Sequence, residues 1–367
     1  MRKTLAILPL LLGLTFVGTH AARKPGAAAP ASAHLPPAAI AALQKVDPEH
    51  IRAHVRFLAH DLLEGRGTGQ RGGELAAEYI ATQFWLYGLK AAGDEGTFFQ
   101  KVPMVGITPA PETTFELAPN RGDALKLKPL EQYVAYDQTQ QSSDDIDADI
   151  VYVGYGIEAP EYQWDDYKGV DVRGKVLLML VNEPSSNDPN FFNGRALTYY
   201  GRWTYKYEEA ARKGAVGAIL IHKSDMASYP WEVVRNSNSG EKSYLKSDAP
   251  QLKAASWIQL DVARRLAQRT GMDLDKMMAD AQSRDFHPVA LPARLRAHMA
   301  SKVRPFTSKN VVAMLPGSDP KLKDEAVMYT AHYDHLGIRP EMPGDNIYNG
   351  AQDNATGVGI LLEIARA

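Results

Sequence analysis

Two short runs, Lys175-Val176-Leu177-Leu178-Met179-Leu180-Val181 and Ala215-Val216-Gly217-Ala218-Ile219-Leu220-Ile221, are almost wholly apolar. Runs of this length, bounded by turn residues and lacking a helical period, read as buried strands. The segment Val151-Tyr152-Val153-Gly154-Tyr155-Gly156 has the same texture, and Tyr205 to Lys213 reads as a helix closed by Gly214. Strands and helices interleaved in this way require a layered αβ module with its own apolar core.

The flanking segments differ. From Ile40 to Leu63 the spacing of Ile51, Val55, Leu58 and Leu62 is helical. A glycine-rich turn, Glu64 to Gly73, leads into a second helix, Glu74 to Tyr87, capped by Gly88. The turn lacks a Gly-Lys-Ser/Thr ending and joins two helices, so it reads as a tight connector and not as a phosphate cradle. Thr97 to Val105 and Thr113 to Leu117 read as extended. Near the end, Asn310 to Leu315 reads as a strand, Pro316 to Pro320 as a turn, and Ala326 to Ala331 as a second strand, apolar enough to be central. A helix is expected from about Ala355. The fold class is therefore α/β, a mixed sheet flanked by helices, with residues 122–295 inserted between a part spanning 39–121 and its continuation over 296–367.

Residues 1–22 stand apart. Arg2 and Lys3 precede an apolar run from Leu5 to Val17, and the small residues around Thr19-His20-Ala21-Ala22 offer a cleavage region. This is the pattern of a secretory signal peptide, which places the protein outside the cell or in the periplasm. The run is shorter than the ~20 residues of a spanning helix, so no membrane association is expected after signal removal. Residues 23–38, rich in Ala and Pro, read as a flexible lead-in. A formal net charge of −2 with no basic run gives no electrostatic footprint for nucleic acid. With no cysteine in the 367 residues, thiol nucleophiles and cysteine metal sites are excluded, and any metal must be held by His, Asp or Glu.

Such residues converge in sequence at one place. Thr330-Ala331-His332-Tyr333-Asp334-His335-Leu336-Gly337 lies where a strand is expected to empty into a loop, the end of an open αβ sheet at which ligands gather. His332 offers an imidazole nitrogen to a metal, and Asp334 can accept the other ring N–H and so set the tautomer. About twenty residues on, Asn349-Gly350-Ala351-Gln352-Asp353-Asn354-Ala355-Thr356-Gly357 places Asp353 ahead of a helix, where two carboxylate oxygens can bridge two cations. Asp353 or Asn354 could equally cap that helix. His335 reads as a loop hydrogen-bonder, and His50 and His54, four apart, as a solvated helix face. The aromatic residues Tyr199, Tyr200, Trp203, Tyr205 and Tyr207 suit either a peptide-binding surface or packing of the inserted module. No Gly-x-Ser-x-Gly elbow of a serine hydrolase is present.

These motifs resemble the co-catalytic zinc aminopeptidases, the family of bacterial leucyl aminopeptidases and glutamate carboxypeptidase-like proteins. The resemblance rests on Asn310-Val311-Val312 with Leu315-Pro316-Gly317, on the His332 and Asp353 segments, on Leu62 to Gly69, on Gly88-Leu89 and on Phe99 to Pro103. Residues 122–295 resemble a protease-associated domain. The resemblance implies two zinc ions, with His332 binding one, Asp353 bridging both, and Asp334 orienting His332 as a positioning residue. It implies hydrolysis of N-terminal peptide bonds of peptide or protein substrates. In that family the general base and further ligands come from segments after the Asp353 helix, whereas this chain closes at Glu363-Ile364-Ala365-Arg366-Ala367. The 367-residue chain is accordingly expected to be truncated before the general base, inactive alone and of low stability. The alternatives are a non-catalytic relative that binds peptides through its inserted module, and a metal-dependent carboxypeptidase or amidohydrolase on the same scaffold.

Overall fold

The computed structural model describes residues 36–247, 249, 251–340 and 344–367. The signal peptide and nearly all of the lead-in lie outside the described residues. The chain divides into two units. The first, residues 1–46 with Ala367, contains a described helix, Pro37–Leu43, with no buried residue.

The second unit, Asp47–Arg366, holds α1 (Pro48–Leu58), α2 (Arg71–Leu86), β1 (Phe99–Pro109), β2 (Thr114–Pro119), β3 (Tyr133–Tyr136), β4 (Ser143–Tyr152) and β5 (Val176–Leu180). It continues with α3 (Trp203–Arg212), β6 (Gly217–His222), β7 (Lys242–Leu245), β8 (Ala254–Gln259), α4 (Leu260–Arg269), β9 (Val289–Val311) and α5 (Thr356–Arg366). The expected helix from Ile40 to Leu63 is broken at Asp47. Proline 48 forces the residue before it out of the helical region, and Asp47, extended at φ −112°, caps α1 by accepting from Glu49 N–H at 2.8 Å.

The large sheet is mixed, in the order β7-β1-β9-β4-β5-β6-β8-β3, with β2 also pairing β9. Strands β4, β5, β6 and β8 run parallel, and the remaining pairs are antiparallel. The two apolar runs of the sequence are its interior strands. Val176, Leu178, Leu180, Ile219 and Ile221 face one apolar cluster, while Leu177, Met179, Ala218 and Leu220 face the other. Both faces are dry because helices cover both: Val262, Ala263 and Leu266 of α4 on the first, Tyr207, Ala210 and Ala211 of α3 on the second. Each such buried Leu or Ile contributes about 1.5–3 kcal/mol. Strand β9 spans 23 residues and alternates, with Leu291, Ala293, Leu295, Ala297 and Met299 buried. It crosses position 295/296, so one strand joins the middle of the chain to its last part.

The expected central strand at Ala326–Ala331 does not form. Val327 and Met328 are 84% and 81% exposed, and no strand among the described residues pairs with them. An apolar run becomes a strand only when a neighbour satisfies its backbone donors and acceptors. A separate apolar cluster supports the last part of the chain. Leu58 of α1, Ala76, Ile80 and Phe84 of α2, and Val358 and Leu362 of α5 pack together, with Ala331 and Tyr333 against them. Glu363, fully buried, ties α5 to α1 by accepting from Asp47 N–H at 2.7 Å and pairing with Arg366 at 2.6 Å.

Within the large sheet's core sits a buried lysine. Lys206 of α3 is 0% exposed, its Nζ has no hydrogen-bond partner, and it lies 5.8 and 5.7 Å from the Tyr155 and Tyr205 ring centroids. Burial pushes its pKa well below the ordinary 10.5, against the opposing pull of Asp166 and Glu183. On the alkaline side of neutrality the unfolded chain therefore binds a proton that the folded chain has given up, so stability rises with pH toward 10.5. Urea unfolding at pH 7 and pH 9 is expected to show this rise, and Lys206→Met is expected to flatten it; an unchanged slope in the variant would show that Lys206 is charged in the fold.

Candidate metal centre

The centre is built on the glycine-rich connector between α1 and α2. Its backbone turns sharply through left-handed conformations at Glu64, Gly65 and Arg66, with φ of 52°, 66° and 49°. At Gly65 a side chain is excluded as well as strained, since a Cβ would lie 2.6 Å from the carbonyl oxygens of Gly337 and Tyr348. This turn sends the Arg66 side chain inward, where it is 0% exposed. Its Nε donates to the Tyr333 carbonyl at 2.7 Å, Nη1 to the carbonyls of Leu58 and, at 2.6 Å, Asn349, and Nη2 to that of Gly350 at 2.8 Å. One guanidinium thus holds α1, the His332 segment and the Asp353 loop at once. Its own carbonyl accepts from His335 N–H at 3.1 Å.

The chemistry-bearing side chains project from what Arg66 holds. His332 Nε2 stands 3.0 Å from Asp353 Oδ1. On the other side of the ring, Nδ1 lies 3.1 Å from the Asp334 backbone oxygen and 3.4 Å from its Oδ1. Asp334 is itself held by the Thr68 hydroxyl, which donates to Oδ2. With Nδ1–H donating to Asp334, Nε2 is left as a lone pair opposite a carboxylate, and two acceptors at that distance call for a shared cation, a proton or a metal. Asp353 precedes α5 in an irregular turn, and Asn354 Oδ1 caps that helix by accepting from Gly357 N–H at 3.1 Å. The cap is therefore Asn354, and Asp353 remains free to ligate. Gly350, at φ +58°, lets the loop close: a Cβ there would stand 2.7 Å from both Arg66 Nη2 and the His335 ring.

The structure brings His332, Asp334 and Asp353 together and adds His335, whose Nδ1 is 3.9 Å from Asp353 Oδ2. Burial lowers the His335 pKa, while Asp353 raises it and Arg66 lowers it further. His332 and Asp353 are 54% and 71% exposed, so their donor atoms are accessible. Imidazole and carboxylate are donors that zinc accepts, and two such ligands at about 2.0 Å from one tetrahedral ion stand about 3.3 Å apart, close to the observed separation. The donors present fit zinc in kind. Among the described residues, however, no group of three or more His, Cys, Asp or Glu converges to complete a site.

Sequence reasoning missed Arg66 and Thr68, whose segment reads as a tight connector. The available signal was an arginine amid glycines between two apolar helices. His54 corrects a second expectation: it is not solvated but buried, with Nδ1 2.8 Å from Tyr79 Oη and Nε2 3.3 Å from Tyr87 Oη. Burial lowers its pKa. The helix face carrying it packs against α5, where His50 Nδ1 lies 3.4 Å from the buried Glu363.

Residues 310–367 match the model of Peptidase family M28. Among solved structures, an aminopeptidase from Aneurinibacillus sp. is 21% identical, with 88% of this chain and 59% of that chain covered and a TM-score of 0.42. A zinc aminopeptidase from Bacillus subtilis is 16% identical, covering 88% of this chain and 57% of that one, with a TM-score of 0.35. A Peptidase M28 precursor from Shewanella amazonensis is 17% identical, covering 89% and 61%, with a TM-score of 0.39. This chain thus spans about three fifths of the length of those structures. A comparison with curated proteins finds no match.

Because Arg66 satisfies four buried or half-buried carbonyls, its removal strands them together. Arg66→Met is expected to lower the unfolding free energy by about 3 kcal/mol or more in urea titration. Arg66→Lys is expected to recover little of this, since a compact ammonium cannot span the fork. A loss under about 1 kcal/mol in Arg66→Met would show that the clamp is dispensable.

Proposed function

We infer, from the Peptidase family M28 match over residues 310–367 and the metal-suited geometry within that segment, that this chain carries the His332 and Asp353 side of a zinc aminopeptidase centre. The observation that carries the reading is the 3.0 Å approach of His332 Nε2 to Asp353 Oδ1, with Asp334 behind the imidazole. His332 would ligate through Nε2, Asp353 would bridge two zinc ions through its two oxygens, and Asp334 would position His332 by accepting from Nδ1–H. Thr68 holds Asp334 in that role, and Arg66 holds the loop that presents Asp353. When bound, a zinc pair supplies a water of lowered pKa and polarises a scissile carbonyl. The substrates are peptides or proteins read at their free N-terminus. Residues 122–295 are proposed as a protease-associated insertion, and the signal-like N-terminus supports export to the periplasm or beyond. Among the described residues no helix is long and apolar enough to cross a membrane, and no basic run favours nucleic acid.

Calorimetric titration of zinc into the 367-residue chain tests the ligand roles. Asp334→Asn is expected to weaken zinc binding about 10–100-fold, as loss of a group that orients a ligand does. Undiminished affinity in both Asp334→Asn and Asp353→Asn would sink the assignment. For activity, any release of an N-terminal residue is expected from a peptide amide and not from its N-acetylated form, and only with zinc present. Release that survives chelation would reject the metal reading, and peptide binding with no zinc binding would favour the non-catalytic, peptide-binding alternative.

A further inference from the structure

Away from the metal centre, the two edge strands of the large sheet, β3 and β7, line one cavity of about 790 Å³ together with α3. Its walls are aromatic: Tyr136 from β3, Trp203 and Tyr207 from α3, Tyr244 from β7 and Trp257 from β8. Cavities of about 300–1,000 Å³ with apolar walls and a few polar groups are the usual form of ligand sites. The polar groups here are unevenly satisfied. Glu208 is engaged by the Tyr199 hydroxyl at 2.6 Å, and Arg212 pairs with Glu209. Tyr136 Oη donates to the Gly240 carbonyl at 2.6 Å and lies 2.9 Å from that of Asn238.

Lys242 is different. Its Nζ stands 5.2 Å over the Trp203 ring and 5.8 Å from that of Tyr136, and no described carboxylate is within ion-pair distance. A second cation acts on it. Arg339, in the hairpin that follows the His332 segment, is 9% exposed, packs its Nη1 against Gly240, and has a buried Nε without a partner. Burial first, and Arg339 second, depress the Lys242 pKa to about 8. Two half-buried or buried cations held near each other with no counter-charge among the described residues are costly in an unliganded fold, and an incoming carboxylate removes that cost.

We propose that this cavity binds the free C-terminal carboxylate of a peptide, seated on Lys242 with Arg339 adding to the local positive charge, and with a large apolar or aromatic terminal side chain against Trp203, Tyr136 and Trp257. The ammonium and the guanidinium supply the charge complement, and the rings supply a flat apolar slot. The cavity also resolves the aromatic cluster left open by the sequence: Trp203 and Tyr207 line it, whereas Tyr205 packs inward against Tyr200. That the ligand is a peptide rests on the peptidase reading; that it is an apolar carboxylate rests on the cavity alone.

The test is calorimetric binding of Ala-Ala-Phe and of its C-terminal amide to the 367-residue chain with chelator present, so that zinc chemistry plays no part. The carboxylate form is expected to bind at least about tenfold more tightly than the amide, the worth of one charge-assisted hydrogen bond. Lys242→Met is expected to abolish that preference, Arg339→Met to reduce it, and Lys242→Arg to keep it. Equal binding of acid and amide, no binding of either, or an unaltered preference in a folded Lys242→Met variant would overturn the proposal. If Lys242→Met does not fold by circular dichroism, the acid-to-amide ratio of the unaltered chain and of Lys242→Arg decides alone. A failed zinc titration would leave this site standing, and failure here would leave the zinc ligands standing.

Discussion

The buried guanidinium of Arg66 is the constraint on which the candidate metal centre of this molecule depends. Four carbonyls from three separate stretches of chain, at Leu58, Tyr333, Asn349 and Gly350, converge on one planar group. Guanidinium can do this because its five N–H donors leave in fixed directions within one plane. Burial pulls the Arg66 pKa down, and the Asp334 and Asp353 carboxylates offset only part of that cost. The glycine-rich connector and the left-handed backbone around Gly65 follow from the need to aim this side chain inward while Gly337 and Tyr348 pass close by.

The donor atoms themselves are held differently. His332 and Asp353 stay more than half exposed, and their positions come from neighbours held behind them: the Tyr333 and Gly350 carbonyls by Arg66, and the Asp334 carboxylate by Thr68. A donor set built in this way keeps its lone pairs accessible while its rotamers are limited by hydrogen bonds behind them, an arrangement that would suit metal ligands. The buried apolar cluster beneath, from Leu58 to Leu362, keeps α1, α2 and α5 in register with that layer.

The large sheet follows other rules. Its interior strands are buried by helices on both faces, with the buried Lys206 on the covering helix α3, whereas its edge strands line the open volume. Strand β9 links the two regimes, because its first half lies against β4 and β2 and its second half against β1. The hairpin bearing Arg339 reaches Gly240 beside the edge strand β7, so the loop that leaves the candidate metal centre packs next to the edge of the large sheet.

Much of this was written in local patterns that a sequence exposes directly. The dense apolar runs at residues 175–181 and 215–221 read directly as interior strands, and the helical periods around α2 and α3 put those helices within a few residues of where they stand. The His332 and Asp353 segments stood out through residue type and spacing, and the fold brings their side chains together. What spacing cannot state is which distant groups will meet. Arg66 finds carbonyls more than 260 positions away, His54 is buried by tyrosines 25 and 33 residues on, and Lys242 acquires Arg339 for a neighbour. The stretch at Ala326–Ala331 marks the same boundary from the other side, since its strand-like composition found no ladder partner among the described residues and stayed exposed. Periodicity and residue chemistry are local properties and were determined by the sequence alone. Burial, pairing and the balance of buried charge depend on segments far apart in the chain, and only the tertiary structure decided them.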